Sequence, residues 1–142
     1  MSVISNKFSK NERLYQKKII DNLFNKANSF YAHPLKILWL IHESNTDAYP
    51  VRVMFSVPKK NVKKAVDRNL IKRRLREIYR IHKNNLYDIL IRNDKKADLA
   101  IIYTCGFPMK YSELEPALIK VFKYLEEQIV TSQNKNKQYY KG

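Results

Sequence analysis

The sequence predicts an α+β sandwich, with helices packed on one β-sheet. Three observations carry that prediction. Two short runs, Leu35–Glu43 and Val51–Val57, have strand length, and the second alternates: Val51, Val53, Phe55 and Val57 on one face, Arg52, Met54 and Ser56 on the other. Two longer stretches, about Val62 to Asn84 and Tyr111 to Val130, place apolar residues at helical spacing. A third apolar run, Leu99–Tyr103, lies between them, so the order reads helix, hairpin, helix, strand, helix.

Phe8 to Phe30 reads as the first helix, with Ser9 as its cap, Glu12 as the capping-box partner, and Ile19, Ile20, Leu23 and Phe24 as its apolar stripe. Asn25 to Pro34 breaks the pattern, since Pro34 disfavours helix at His33. Leu35–Glu43 and Val51–Val57 are expected to form an antiparallel hairpin across the turn-forming loop Ser44–Pro50, with Pro58 ending the second strand. The pattern then turns helical from about Val62 to Asn84. Asn93–Lys96 reads as a polar connection to the Leu99–Tyr103 strand, which Gly106 and Pro108 close. Ser112 is the expected cap of the last helix, and Glu113, Glu115 and Pro116 suit its first turn. Leu118, Val121, Phe122, Leu125 and Ile129 form its core stripe. Residues 1–130 are expected to be a single domain and 131–142 a flexible polar tail.

Composition narrows function. The chain has 142 residues, 44% of them hydrophobic, enough for a packed core rather than a disordered basic tail. Lys and Arg number 28 against 13 acids, a net charge of +15. Such an excess opposes compaction unless a polyanion offsets it. Nucleic acid, an anionic membrane surface and acidic protein all qualify. Cys105 is the single cysteine, so no intrachain disulfide forms, and a buried structural thiol is expected. Met1–Lys10 lacks an apolar signal core, and Ile37–Ile41, the longest strongly apolar run, is far too short to span a bilayer. A cytoplasmic protein without membrane insertion is expected.

The charge is concentrated. From Lys59 to Lys83 there are eleven basic residues and two acids, Asp67 and Glu77, a net +9 of the +15. At about 100° per residue, Asn69, Lys72, Arg73, Arg76, Arg80 and Lys83 fall on one side of a helix. Leu70, Ile71, Leu75, Ile78 and Ile81 fall on the other, and Arg74 lies toward the apolar side, where its stem can snorkel. A charge run is usually a solvated face, but such faces mix signs and gain from i,i+4 pairs. A one-sign row costs free energy until an anion binds it. Five or six phosphate contacts give a slope of log K against log salt of about −4 to −5 on a duplex. Asn69, the neutral polar residue in the row, can address a 2′-OH or a base edge.

The run from Lys59 to Glu77, with Arg68-Asn69-x-x-Lys72-Arg73-x-x-Arg76-Glu77 at its centre, resembles the signature of the protein subunit of bacterial ribonuclease P. The similarity includes the strand from Arg52 to Val57 leading into Lys59 and Lys60. It extends more weakly through Leu23-Phe24 and Leu99–Tyr103, covering about residues 8 to 128. Two positions depart: Leu70 stands where the family usually has Arg, and Met54 where a small residue is common.

The resemblance implies a small mixed sheet in an αβββαβα-like, ribosomal protein S5 domain 2-like fold, with a left-handed βαβ crossover against the general rule. It implies a subunit of an endonuclease that removes the 5′ leader of precursor tRNA. The chemistry is carried by a catalytic RNA with Mg²⁺, and the protein joins that RNA as a monomer in a one-RNA, one-protein complex. Lys59, Lys60, Lys64, Arg68, Asn69, Lys72, Arg73, Arg76 and Arg80 take the RNA-binding role. Ile20, Phe24 and Arg52 match a leader-binding cleft between the sheet and the first helix. Phe24 can stack on an unpaired base, worth about 1–3 kcal/mol, or simply fill core.

No residue pattern marks a protein-borne active site. His33, His42 and His82 are scattered, no Cys-x-x-Cys or His-Glu-x-x-His occurs, and Gly106 as the sole internal glycine rules out an ordinary phosphate loop. Two other readings stay open. One is a non-enzymatic structural, ribosomal-type RNA-binding protein. The other is a DNA binder using the basic helix, though no recognition-helix pair or dimerisation heptad is present.

Overall fold

The computed structural model describes residues 8, 10–43 and 49–141, with side chains as far as residue 131. A short 3₁₀ turn, Lys10–Glu12, precedes α1 (Lys17–Lys26). β1 (Asn28–Ala32), β2 (Leu35–Glu43) and β3 (Val51–Ser56) follow, then α2 (Ala65–His82), α3 (Asn84–Arg92), β4 (Lys95–Tyr103) and α4 (Tyr111–Lys141). The four strands form one mixed sheet in the order β1-β2-β4-β3. The expected α+β architecture is present.

The neighbours differ from expectation. β2 does not form a hairpin with β3. It pairs antiparallel with β1, matching Phe30 to Ile37 and Ala32 to Leu35, and antiparallel with β4, from Leu35↔Tyr103 to Glu43↔Lys95. β3 runs parallel to β4, from Val51↔Ala97 to Ser56↔Ile102, and α2 and α3 make the crossover between them. The alternation in Val51–Ser56 reports two faces and says nothing of which strand lies alongside. The continuous apolar run in β4 is the mark of a central strand covered on both faces.

The predicted first helix is cut at both ends. Only Lys17–Lys26 is α-helical, and Asn28–Ala32, within and just beyond the tail of that prediction, is β1. The aromatic pair Phe30-Tyr31 favours the pleated state over helix. The peptide between His33 and Pro34 is cis, and the chain turns there into β2. Ser9 and most of the Ser44–Pro50 loop (44–48) lie outside the described residues. Glu12 is no capping partner; it is fully buried. β4 begins at Lys95, so Lys95-Lys96 is strand rather than connection. α3 was not anticipated: Leu86, Tyr87 and Leu90 bury one side of a short helix that the polar run Lys83-Asn84-Asn85 disguises.

α4 starts one residue before Ser112. The backbone N–H of Lys110 donates to Glu113 Oε1 at 3.1 Å, the reach-back half of a capping box, so Lys110 takes the cap position. α4 continues to Lys141, past the expected end at Val130.

The two sheet faces are unequally covered. On one, Leu35, Ile37, Trp39, Val51, Val53, Leu99 and Ile101 pack against Ile71, Leu75, Ile78, Leu118, Val121 and Phe122 of the helices. Full burial of each such aliphatic contributes about 1.5–3 kcal/mol. On the other face α1 is the only helix among the described residues that lies across the sheet, where buried Leu14, Leu23 and Ala100 meet Leu38, Leu40 and Met54. Tyr31 and Lys36 at the far end of that face stay exposed. Beside α1, Lys10, Arg13, Gln16 and Arg52 line a cavity at the β3 side of this face.

Candidate nucleic-acid interface

α2 presents a cationic face because its opposite face is consumed by the core. Ile71, Leu75, Ile78 and Tyr79 are fully buried, whereas Asn69, Arg73 and Arg76 are exposed and Lys72 is half-buried. No hydrogen bond or ion pair among the described residues engages Lys72, Arg73 or Arg76, which leaves their donors directed to solvent. No side chain caps the N-terminus of α2, and the exposed Lys59, Lys60 and Lys64 lie just before it. Anions are favoured there by both the helix dipole and the lysines.

Three cations in or near the row have structural partners. Arg68 Nη1 donates to the carbonyls of Val62 and Lys63 at 3.0 and 2.7 Å, which ties the lysine-bearing loop back onto the helix. Arg80 grips Glu77 with Nε and Nη2 at 2.9 and 2.8 Å; its hydrogen bonds hold the Glu77 carboxyl below the usual carboxylate range. Arg74, on the apolar side as expected, donates to the Met109 carbonyl at 2.6 Å and fastens α2 to the approach of α4.

The end of the row departs from the wheel. Lys83 is fully buried, with its Nζ 2.6 Å from Glu12 Oε2, and Ile81, assigned to the buried side, is 46% exposed. The chain leaves α2 after His82 and starts α3, so the 100° phase no longer applies. Tyr79 was missed as core. Its hydroxyl lies 2.7 Å from that of Tyr87, which donates to Glu12 at 2.6 Å, and burial pushes both phenols upward in pKa.

On the α1 side, Ile20 is half-buried and Phe24 is 49% exposed, so the Phe24 ring is not core filling. Arg52 points to this face, where its Nε donates to Asp98 Oδ1 at 3.1 Å. Asp98 is buried and also meets His42 Nε2 at 3.3 Å. Arg52 shares a polar cavity of about 330 Å³ with Lys10, Arg13 and Gln16. Lys10 and Arg13 carry no helical or alternating signal. They reach the site because the Leu14 N–H donates to the Val53 carbonyl at 2.9 Å, adding a rung to the outer edge of β3. Fold pairing, not local pattern, places them.

The family model for ribonuclease P matches residues 8–126. The chain belongs to the ribonuclease P protein family. It is 30% identical over 128 residues to the ribonuclease P protein component of Porphyromonas gingivalis, covering 90% of this chain and 93% of that one. The ribonuclease P protein of Staphylococcus aureus superposes with a TM-score of 0.62 at 23% identity, covering 80% of this chain and 94% of that one. The Thermotoga maritima protein gives 0.60 at 22%, covering 80% and 96%. Membership makes the chain a subunit of the ribonuclease P holoenzyme and the ribonuclease P RNA its partner. The structural, non-enzymatic alternative is not favoured.

Proposed function

We propose that the α2 row, with Lys59, Lys60 and Lys64, docks the ribonuclease P RNA, while the cleft at Ile20, Phe24 and Arg52 receives the 5′ leader of precursor tRNA. The observation that carries this reading is the division of α2: apolar residues buried on one side, Asn69, Lys72, Arg73 and Arg76 unengaged on the other. Arg offers a planar fork to two phosphate oxygens and Lys a point charge. In the cleft, the half-exposed ring of Phe24 on α1 offers a stacking surface and Arg52 on β3 a cation, two features suited to single-stranded RNA.

Mg²⁺ belongs with the RNA in this reading. Three carboxylates near the two faces are already engaged by cations: Asp98 by Arg52, Glu77 by Arg80 and Glu12 by Lys83. The protein's part is then to neutralise backbone charge and hold the leader, as one monomer per RNA in the cytoplasm. The test is cleavage of precursor tRNA at low Mg²⁺ by the catalytic RNA, alone and with protein added. Stimulation by the protein is expected, and its absence refutes the reading.

A further inference from the structure

A second aromatic site lies on the opposite side of Arg13 from the cleft. Phe8 is half-buried, its ring set edge-on against Phe55 and Tyr79 with centroids 5.9 and 5.8 Å away. Arg13 lies across that ring, with Cζ 5.6 Å from the centroid. Facing them, α2 contributes Arg73, Arg76 and the Glu77–Arg80 pair. Together these side chains enclose an open depression of about 590 Å³. Of these residues only Arg13 also lines the polar cavity at Arg52.

Its floor and walls differ from the rest of the cationic row. Elsewhere α2 offers charge alone. Here four arginines with one acid surround an aromatic ring, so the site suits a ligand that is both anionic and flat. A duplex presents phosphates but hides its base faces. An unpaired nucleotide presents both, and splayed bases stack on aromatic rings or on guanidinium planes.

The depression is also preformed. Glu12, next to Arg13, is fully buried and takes hydrogen bonds from Lys83 Nζ and Tyr87 Oη, each at 2.6 Å. The Leu14 N–H is fastened to β3. Arg13 is therefore held between two anchored neighbours, Glu12 and Leu14, before any ligand arrives, which lowers the ordering cost of binding.

We propose that this depression is a pocket for a single unpaired nucleotide. The base stacks on the Arg13 guanidinium above Phe8, and the flanking phosphates meet Arg73 and Arg76. The proposal rests on α2 being an RNA-binding face.

The test assembles full-length protein with full-length ribonuclease P RNA and compares wild type, Phe8→Leu and Arg13→Gln. Affinity is read across salt concentrations, and the RNA is probed chemically at nucleotide resolution. Wild type is expected to protect a discrete unpaired nucleotide, and both variants to lose that protection. Phe8→Leu removes the ring that supports the Arg13 guanidinium and should weaken assembly by about 2- to 5-fold, the range of one cation–π contact, with an unchanged salt slope because no charge is removed. Arg13→Gln should reduce the slope by about 0.7–0.9. Thermal unfolding checks the fold, and Arg13→Gln, an exposed position, carries the test if Phe8→Leu unfolds. Protection that appears only when precursor tRNA is added supports the pocket and places the nucleotide in the substrate. Salt-dependent wild-type assembly with protection and affinity unchanged in both variants overturns the pocket alone. Absence of salt-dependent wild-type assembly overturns the RNA-binding reading, and the pocket with it.

Discussion

Replacing Lys83 with Met separates structure from recognition on this surface. By sequence Lys83 belongs to the cationic row, yet in the fold it is fully buried against Glu12, with its ammonium 5.3 Å from the Tyr87 ring centroid. Removing one partner of a buried pair strands the other charge, which costs about 3–5 kcal/mol. For a chain of 142 residues that corresponds to a fall in melting temperature of roughly 6–20 °C. The salt slope of RNA assembly should stay as in wild type, measured below the variant's melting temperature. Exchanging both partners, Glu12→Leu with Lys83→Met, removes the stranded charge, and Tyr87 keeps the Tyr79 hydroxyl as a partner at 2.7 Å. The double variant should return to within about 1 kcal/mol of wild type. Urea and thermal unfolding measure the stabilities. A loss below about 1 kcal/mol in Lys83→Met, or a slope reduced by a full contact, would refute the reasoning.

Charge reversal at Arg73 should weaken assembly and flatten its salt dependence without altering the fold. Arg68→Glu should do the same and also raise hydrogen exchange at residues 59–64, because Arg68 holds the Val62 and Lys63 carbonyls. Leu70→Arg, which installs the cation usual in the family, should steepen the slope by up to about 0.9. Alkaline stability offers an independent check on Tyr103, whose phenol burial pushes up to about 12. The fold keeps it neutral, so its contribution is complete below pH 10 and is lost as pH rises from 10 towards 12, where the unfolded chain releases the proton first. Tyr103→Phe should make the fall of stability with pH in that window shallower by up to one proton; an unchanged slope in alkaline urea titrations refutes this.

β2 was legible to the residue, from Leu35 to Glu43, and β3 nearly so, because both carry dense apolar or alternating patterns. Their partners were not. Hydrophobic period tells a strand which face is inside, and only the β3-α2-α3-β4 crossover places β4 between β2 and β3. The cationic side of α2 was legible at Asn69, Lys72, Arg73 and Arg76, where the helix runs regularly. It failed at Lys83, since no local signal announces a helix end between two polar residues, and at Glu12, whose partner lies 71 positions away. Phe8 and Arg13 were invisible for the same reason: their neighbours are tertiary.

The net charge of +15 overstates the docking surface, and the reason lies in where the acids sit. Glu12 takes Lys83 into the core, Asp98 holds Arg52 by its Nε, and Glu77 is gripped by Arg80. Arg68 is bound to backbone carbonyls. What stays exposed or half-buried beside α2 without a side-chain partner among the described residues is Lys72, Arg73 and Arg76 of the helix, and Lys59, Lys60, Lys63 and Lys64 before it. Seven cations give a salt slope of about −5 to −6, slightly steeper than the wheel, but with four of them in a loop whose position depends on Arg68. The consequence is a hierarchy. Arg73 and Arg76 contribute charge from a rigid helix, the lysines contribute charge from a tethered loop, and Arg68 governs how many of the lysines reach the RNA together. Arg68→Ala should therefore reduce the salt slope by more than the single charge it removes, whereas Arg76→Ala should reduce it by about 0.9 and no more. Equal reductions for the two variants in filter-binding salt titrations would mean that the loop docks independently of its tether.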